Sequence, residues 1–150
     1  VRSEFKILIG DKTAESVKVA IGSVSEGAGH LEAAIRGRDL ITGLPREIVI
    51  TDSDIREAIS QSIDTLIESV REVLETTPPE ILSDIMRGGI TLTGGGALLK
   101  GLDVLLTEWL KVPVMVADDP LTAVARGTGV ILEHLDLHRD MLAEHDDDIQ

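Results

Sequence analysis

Thr93-Gly94-Gly95-Gly96-Ala97, between a short apolar run and a helical pattern, are the residues whose types and spacing most suggest chemistry. A glycine turn in that place lets backbone N–H groups approach an anion, and a helix starting there adds the positive end of its dipole. The spacing is neither G-x-G-x-x-G nor G-x-x-x-x-G-K-[ST], so neither the dinucleotide fingerprint nor the P-loop is present. A tight strand-to-helix turn without a ligand accounts for the same residues, and physics alone leaves both readings open. Glu15 and Lys18 form the second candidate, three apart on one short helix and so nearly on one face. The carboxylate suits a ribose hydroxyl and the lysine stem suits an adenine ring. Taken alone, a solvent-exposed i,i+3 ion pair is the simpler account.

Other reactive residue types do not assemble into a site. Asp118-Asp119 looks like a carboxylate pair, but Asp119 before Pro120 is better explained as a helix N-cap. Among His30, His134, His138 and His145, only His134 and His138 have metal-ligand spacing; without a nearby acid in a zincin arrangement they read as surface. Ser23, Ser25 and Ser53 lack a nucleophile-elbow context. The absence of Cys excludes disulfides, thiolate metal sites and a Cys nucleophile together.

The elements that must position these residues follow from spacing and punctuation. Residues 2–10 either end a helix or form a short strand. A helix is expected over about 13–21, capped by Asp11 or Thr13, with Ala14, Val17 and Ile21 on one face and Gly22 as its stop. Residues 22–30 read as a loop. Leu31–Arg38 and Glu47–Thr51 flank Gly43 and Pro45 and predict a β-hairpin or meander. Ile55, Ile59, Ile63, Leu66, Val70 and Val73 then recur every three or four residues, a long helix capped by Asp52 or Ser53 and ended before Pro78-Pro79. A short helix to about Met86, a strand around Ile90–Leu92, a helix over 97–110, a strand over 112–116 and a helix over 121–135 complete the order. Strand–helix–strand connected in this way implies a parallel pair. The fold class is therefore α/β with a small extended insert.

The 150 residues suffice for one domain or two small lobes. With 43% hydrophobic residues but only one Phe and one Trp, the core must be aliphatic. The net charge is −13, and it is uneven: residues 1–50 hold seven bases and seven acids, residues 51–150 seven bases and twenty acids. A surface this acidic repels phosphate backbones, so no nucleic-acid partner is expected. No apolar run approaches the roughly 18–20 residues of a membrane span, and the expected compartment is the cytosol.

Segments DKTAESVKVAIGS, RGRDLITGLPREIVIT, TPPEILSDI, LTGGGALLKGLD and VPVMVADDPLTAVARGTG occur in that order, and through them the chain resembles MreB, the family of bacterial actin homologues that determine rod shape. The resemblance spans about residues 1–137 and implies an α/β fold, an actin-like ATPase (ribonuclease H-like) half-domain with a small α+β subdomain. It implies residues 1–75 mainly as a small subdomain, 76–137 as the closing part of the large nucleotide-cleft subdomain, and 138–150 as an acidic tail without a family role. The opening Val suggests a fragment. The family's E-x-x-K helix matches Glu15, Ser16, Val17 and Lys18, implying adenine and ribose contacts. Its G-G-A-L turn matches Gly95, Gly96, Ala97 and Leu98, implying backbone approach to ribose and phosphates. The loops that grip phosphate and Mg²⁺ are not in this sequence, so the expectation is an ATP half-pocket without hydrolysis. For the intact protein the resemblance implies ATP with Mg²⁺, filaments by self-association, membrane association through its first domain and work with the cell-wall elongation machinery. The alternatives are another actin-like ATPase, such as an Hsp70-type chaperone, or a non-enzymatic acidic interaction module.

Overall fold

The computed structural model describes residues 1–25 and 30–139. The acidic tail beyond Arg139 and residues 26–29 of the expected loop lie outside them.

The apolar run that ends at Gly10 is a strand, β1 (Ile7–Leu8), and it pairs antiparallel with β2 (Glu32–Asp39) through Ile7 opposite Asp39 and Leu8 opposite Arg38. Between them lies helix α1 (Asp11–Ile21), which starts two residues earlier than expected. Its N-cap is Gly10, in extended geometry and without a side-chain cap, so neither Asp11 nor Thr13 caps it. Asp11 lies inside the first turn, where its charge faces the positive helix end. Strand β3 (Pro45–Thr51) pairs antiparallel with β2 from Glu32 opposite Thr51 to Arg38 opposite Pro45, which is the expected hairpin.

The hairpin turn is organised by Asp39. Its Oδ1 accepts from the N–H groups of Ile41 (2.8 Å) and Thr42 (2.9 Å), and its Oδ2 accepts from Arg46 Nη1 at 3.0 Å. These donors favour the ionised form, Thr42 and Ile41 first and Arg46 after them, and hold the Asp39 carboxyl down to about 2.

Helix α2 (Asp52–Thr76) forms where expected and turns Ile55, Ile59, Ile63 and Val70 inward, but Leu66 and Val73 are exposed and Ile67 is buried in their place. Its cap is Thr51 rather than Asp52 or Ser53. Thr51 Oγ1 accepts from the Asp54 N–H at 3.2 Å, and Asp54 Oδ2 accepts from the Thr51 N–H at 2.8 Å, a reciprocal capping box. Asp52 sits one position too late for capping. It is buried and accepts from Arg56 Nη2 at 2.8 Å, one turn further on.

After the proline pair come α3 (Pro79–Gly88) and β4 (Ile90–Leu92), then a 3-10 turn over Gly95–Leu98, helix α4 (Leu102–Leu110), strand β5 (Val114–Val116) and helix α5 (Ala123–Glu133). Strands β4 and β5 are parallel, Ile90 opposite Val114 and Leu92 opposite Val116, as the strand–helix–strand order implies. The helix expected over 97–110 is broken. Leu99 is extended and Gly101 is left-handed (φ 81°), so α4 begins only at Leu102.

Two aliphatic cores share α2. Ile55 packs with Val17, Ile21, Ile35 and Ile50, and Ile59 joins that group. Three turns on, Ile67 packs with Leu102 and Leu106, with Ile63 alongside. One helix thus stiffens both lobes.

The Asp39 turn gives a signed pH dependence. A carboxyl whose folded pKa lies below its ordinary value near 4 stabilises the fold fully above that value. That contribution is lost as pH falls from about 4 towards 2. Wild type should therefore exceed Asp39→Asn in chemical-denaturation stability at neutral pH, and the gap should close between pH 4 and pH 2. A gap independent of pH would place the effect elsewhere.

Candidate nucleotide cleft

α1 exposes Glu15 and Lys18 on one side because they stand three apart, while Val17 between them points into the first core. The position of that face is set at the C-terminal end of the helix. Gly22 closes α1 with its N–H donating to Lys18 O at 2.8 Å, in extended rather than left-handed geometry. A Cβ there would stand 2.2 Å from Lys18 O and 3.2 Å from a Leu99 methyl, so the helix end lies directly against the segment after the 3-10 turn.

The next residues fasten it. Ser23 is fully buried and forms a parallel bridge with Lys100. The Val24 N–H donates to Lys100 O at 3.0 Å, and Ser23 Oγ donates to Ser25 O at 2.9 Å. Gly101 completes this seam, because a Cβ on it would lie 2.4 Å from Ser25 Oγ. The seam joins segments 77 residues apart and brings α1 beside the glycine turn.

The turn itself needs glycine at its first position: Gly94 has φ 79° and ψ 177°, a region that side chains exclude. Its N–H donates to the carbonyl of buried Pro120 at 2.7 Å, which pins the chain after β5 over the turn. Leu121 is thereby held 3.6 Å from where a Gly95 Cβ would stand. The Ala97 N–H is used by Gly94 O (3.2 Å). Among the described residues no acceptor engages the N–H groups of Gly95 and Gly96. A Cβ on Gly96 would meet nothing within 4 Å.

The result is a cleft of about 330 Å³ lined by Glu15, Lys18, Val19, Gly95, Gly96, Leu98, Leu99 and Leu121. That volume is at the small end of ligand sites, and the mixture of apolar wall and few polar groups is typical of them. Of the residues singled out in the sequence, Glu15, Lys18, Gly95, Gly96 and Leu98 meet here. Ser16, Val17 and Ala97 do not line it. Ser16 Oγ is spent on Lys12 O (2.8 Å), Val17 is core, and Ala97 is buried. Val19, Leu99 and Leu121 went unnoticed in the sequence, although Val19 lies four residues after Glu15 on the same helix face and Leu99 directly follows the G-G-A-L turn.

Two expectations about the surroundings are corrected. The helix dipole expected at the glycine turn is absent from it, since only a single 3-10 turn follows and α4 starts beyond Gly101. Asp119 does not cap α5. It has φ 49°, its carboxylate accepts from the Thr122 hydroxyl, and the N-cap position is Thr122 itself. Asp119 lies three residues before that position, in a turn that its carboxylate closes instead. His134 is exposed and His138 half-buried. No group of three metal-ligating side chains occurs among the described residues, and no helix there is long and apolar enough to cross a membrane.

Comparison with known proteins gives this arrangement a context. The MreB/Mbl protein family model matches residues 1–140. The cell shape-determining protein Mbl of Bacillus subtilis is 48% identical over 136 residues, covering 91% of this chain and 41% of that protein. The cell shape-determining protein MreB of Escherichia coli K12 is 46% identical over 138 residues, covering 92% and 40%. The chain thus spans about two fifths of the length of the curated relatives it matches. Crystal structures of Spiroplasma citri MreB5 bound to AMPPNP and to ADP superpose with TM-scores of 0.86 and 0.87 at 39% identity, covering 93% of this chain and 42% of theirs. MamK in a double helical filament is similar in fold, with a TM-score of 0.68 at 22% identity over 85% of this chain and 39% of that one.

The seam and the cleft floor can be separated by two glycine substitutions. Gly101→Ala should lower stability by roughly 1–3 kcal/mol, from left-handed strain plus contact with Ser25. Gly96→Ala should change it by less than about 0.5 kcal/mol, since its added methyl enters open space. Thermal and urea unfolding compare the two. Equal losses would contradict the seam.

Proposed function

The chain belongs to the MreB/Mbl family of actin-like, cell shape-determining proteins, and on that premise we propose that it forms the purine side of an ATP-binding cleft. One observation carries the proposal: Glu15 and Lys18 of α1 share a cleft of about 330 Å³ with the free N–H groups of Gly95 and Gly96.

The donor set suits a nucleoside. The Glu15 carboxylate accepts hydrogen bonds from ribose hydroxyls, and the Lys18 stem packs on the face of the base while its ammonium stays in water. Leu98, Leu99, Leu121 and Val19 offer the base an apolar wall. Gly95 and Gly96 present unused N–H groups to the ribose or the first phosphate, and open space at Gly96 allows close approach. The nucleotides named with the Spiroplasma citri structures agree with this reading.

The γ-phosphate and Mg²⁺ contacts belong, on this proposal, to the three fifths of the family's length that this chain does not match. The intact protein would bind ATP with Mg²⁺ and self-associate into filaments in the cytoplasm. It would meet the membrane through its first domain and act with the cell-wall elongation machinery to set rod shape. Phosphoryl transfer rests on charge stabilisation and placement of water at the γ-phosphate. This chain alone has neither group, so hydrolysis at background rate is expected from it. Its charge of −13 opposes a triphosphate left facing water.

Calorimetric titration tests the cleft. ATP should bind no tighter than roughly millimolar, about −4 kcal/mol, and adenosine should lose less affinity than ATP relative to a full-length relative. Glu15→Ala should weaken adenosine while leaving the fold intact. Micromolar ATP affinity, or ATP turnover abolished by Glu15→Ala, would contradict the proposal.

A further inference from the structure

Strand β2 has two edges, and only one is fully used. On the β3 side every residue from Glu32 to Arg38 has a partner. On the other side β1 reaches only Arg38 and Asp39, and the chain leaving β1 crosses over Gly37, where a Cβ would lie 2.4 Å from Leu8 O. Among the described residues, nothing pairs with residues 32–36 on that side, and the edge opens into a groove of about 570 Å³ beside α1.

The direction of the backbone groups follows from the bonds already made. The Asp39 N–H donates to Leu44 O and Leu31 O accepts from the Asp52 N–H, both towards β3. Successive residues alternate, so Ala33, Ile35 and Gly37 also turn their N–H and C=O to β3. Glu32, Ala34 and Arg36 therefore turn theirs to the open edge. Their side chains share the solvent face, opposite Ile35 in the core.

From this edge we infer an interaction surface for a second copy of the chain, paired antiparallel through β2 about a two-fold axis at Ala34. In that register Ala34 faces Ala34, and Glu32 of each copy faces Arg36 of the other. All three free residues are used, with two opposite-charge pairs. A shift by two residues towards Arg38 would need an edge that Leu8 already occupies. A shift the other way would leave Arg36 without Glu32. Val49, opposite Ala34 on the same face and 57% exposed, would extend the central alanine pair into a short apolar strip. Exposed edges are ordinarily guarded by charge that repels a second strand. Here the two charges flank Ala34 with opposite signs, so self-pairing is attractive. The net charge does not oppose it locally, because residues 1–50 carry equal numbers of acids and bases. This surface is independent of the nucleotide reading, since it lies on the β2 edge and shares none of the cleft residues.

Sedimentation velocity with amide hydrogen exchange, on the 150-residue chain across the micromolar to millimolar range, tests the inference. The expected result is a concentration-dependent dimer in which exchange slows at Glu32, Ala34 and Arg36 as the dimer forms. Glu32→Lys places two like-charge pairs across the axis. Arg36→Glu does the same and, combined with Glu47→Lys, keeps the ion pair within the hairpin. Each variant alone should weaken dimerisation at least about tenfold, and an equimolar mixture of the two should restore it, because every cross-axis pair then becomes opposite in charge. Circular dichroism confirms that each variant is folded, and Glu32→Lys alone tests the register if the double variant is not. A monomer at all concentrations would overturn the inference. So would a dimer indifferent to both variants, a mixture that does not restore it, or protection that ignores dilution or appears only with an added, unrelated extended peptide.

Discussion

The cleft exists because a buried serine ties two distant segments together. Ser23 pairs with Lys100 in a parallel bridge, and the chain on either side, Gly22 against Leu99 and Ser25 against Gly101, leaves no room for larger residues. Everything on α1 is positioned from this seam, since the helix ends where the seam begins. Glu15 lies about two turns back from it and Lys18 about one. Everything on the glycine turn is positioned from its other side, because Gly96 O accepts from the Leu99 N–H at 3.1 Å just before the bridge. A short hydrogen-bonded contact thus does what a continuous sheet does in a larger domain.

The seam is supported from below by α2. The helix contributes Ile55 and Ile59 to one aliphatic cluster and Ile63 and Ile67 to the other, so neither lobe can move without disturbing a core. Each cluster is small and lacks aromatics apart from Phe5 at the margin of the first. Small cores bury limited apolar surface, and local devices therefore weigh more heavily in this fold. The Thr51–Asp54 capping box and the Asp39 turn are two of them, one starting the shared helix and the other closing the hairpin.

Much of this was legible in the sequence, for physical reasons. Apolar residues at three- and four-residue spacing marked α2, and Pro78-Pro79 marked its end, since both features act within one helix. The hairpin was legible because Gly43 punctuates the chain between two alternating runs, although Pro45, expected in the turn, opens β3. Boundaries set by longer-range contacts were not. Gly101 falls inside a run with helical spacing, and nothing beside it in the sequence marks its left-handed turn or the distant Ser25 that stands where a Cβ would be. Asp52 and Asp119 resemble caps in type, but one is taken by Arg56 and the other by a turn. At the cleft, the i,i+3 spacing put Glu15 and Lys18 on one helix face, and the family resemblance rather than the spacing singled them out over a surface ion pair. Helix periodicity explains why Ser16 and Val17 face elsewhere. Leu121 was invisible because its place depends on the Gly94–Pro120 hydrogen bond.

The central claim is that α1 and the glycine turn, joined at the Ser23–Lys100 seam, form one nucleoside site. Two-dimensional NMR of the isotope-labelled chain during titration with adenosine tests it most directly. The account predicts that the amides of Gly95 and Gly96 shift along the same saturation curve as those of Glu15 and Lys18, while residues of the β2–β3 hairpin stay still. Shifts confined to one of the two segments, or spread evenly over the surface, would contradict it.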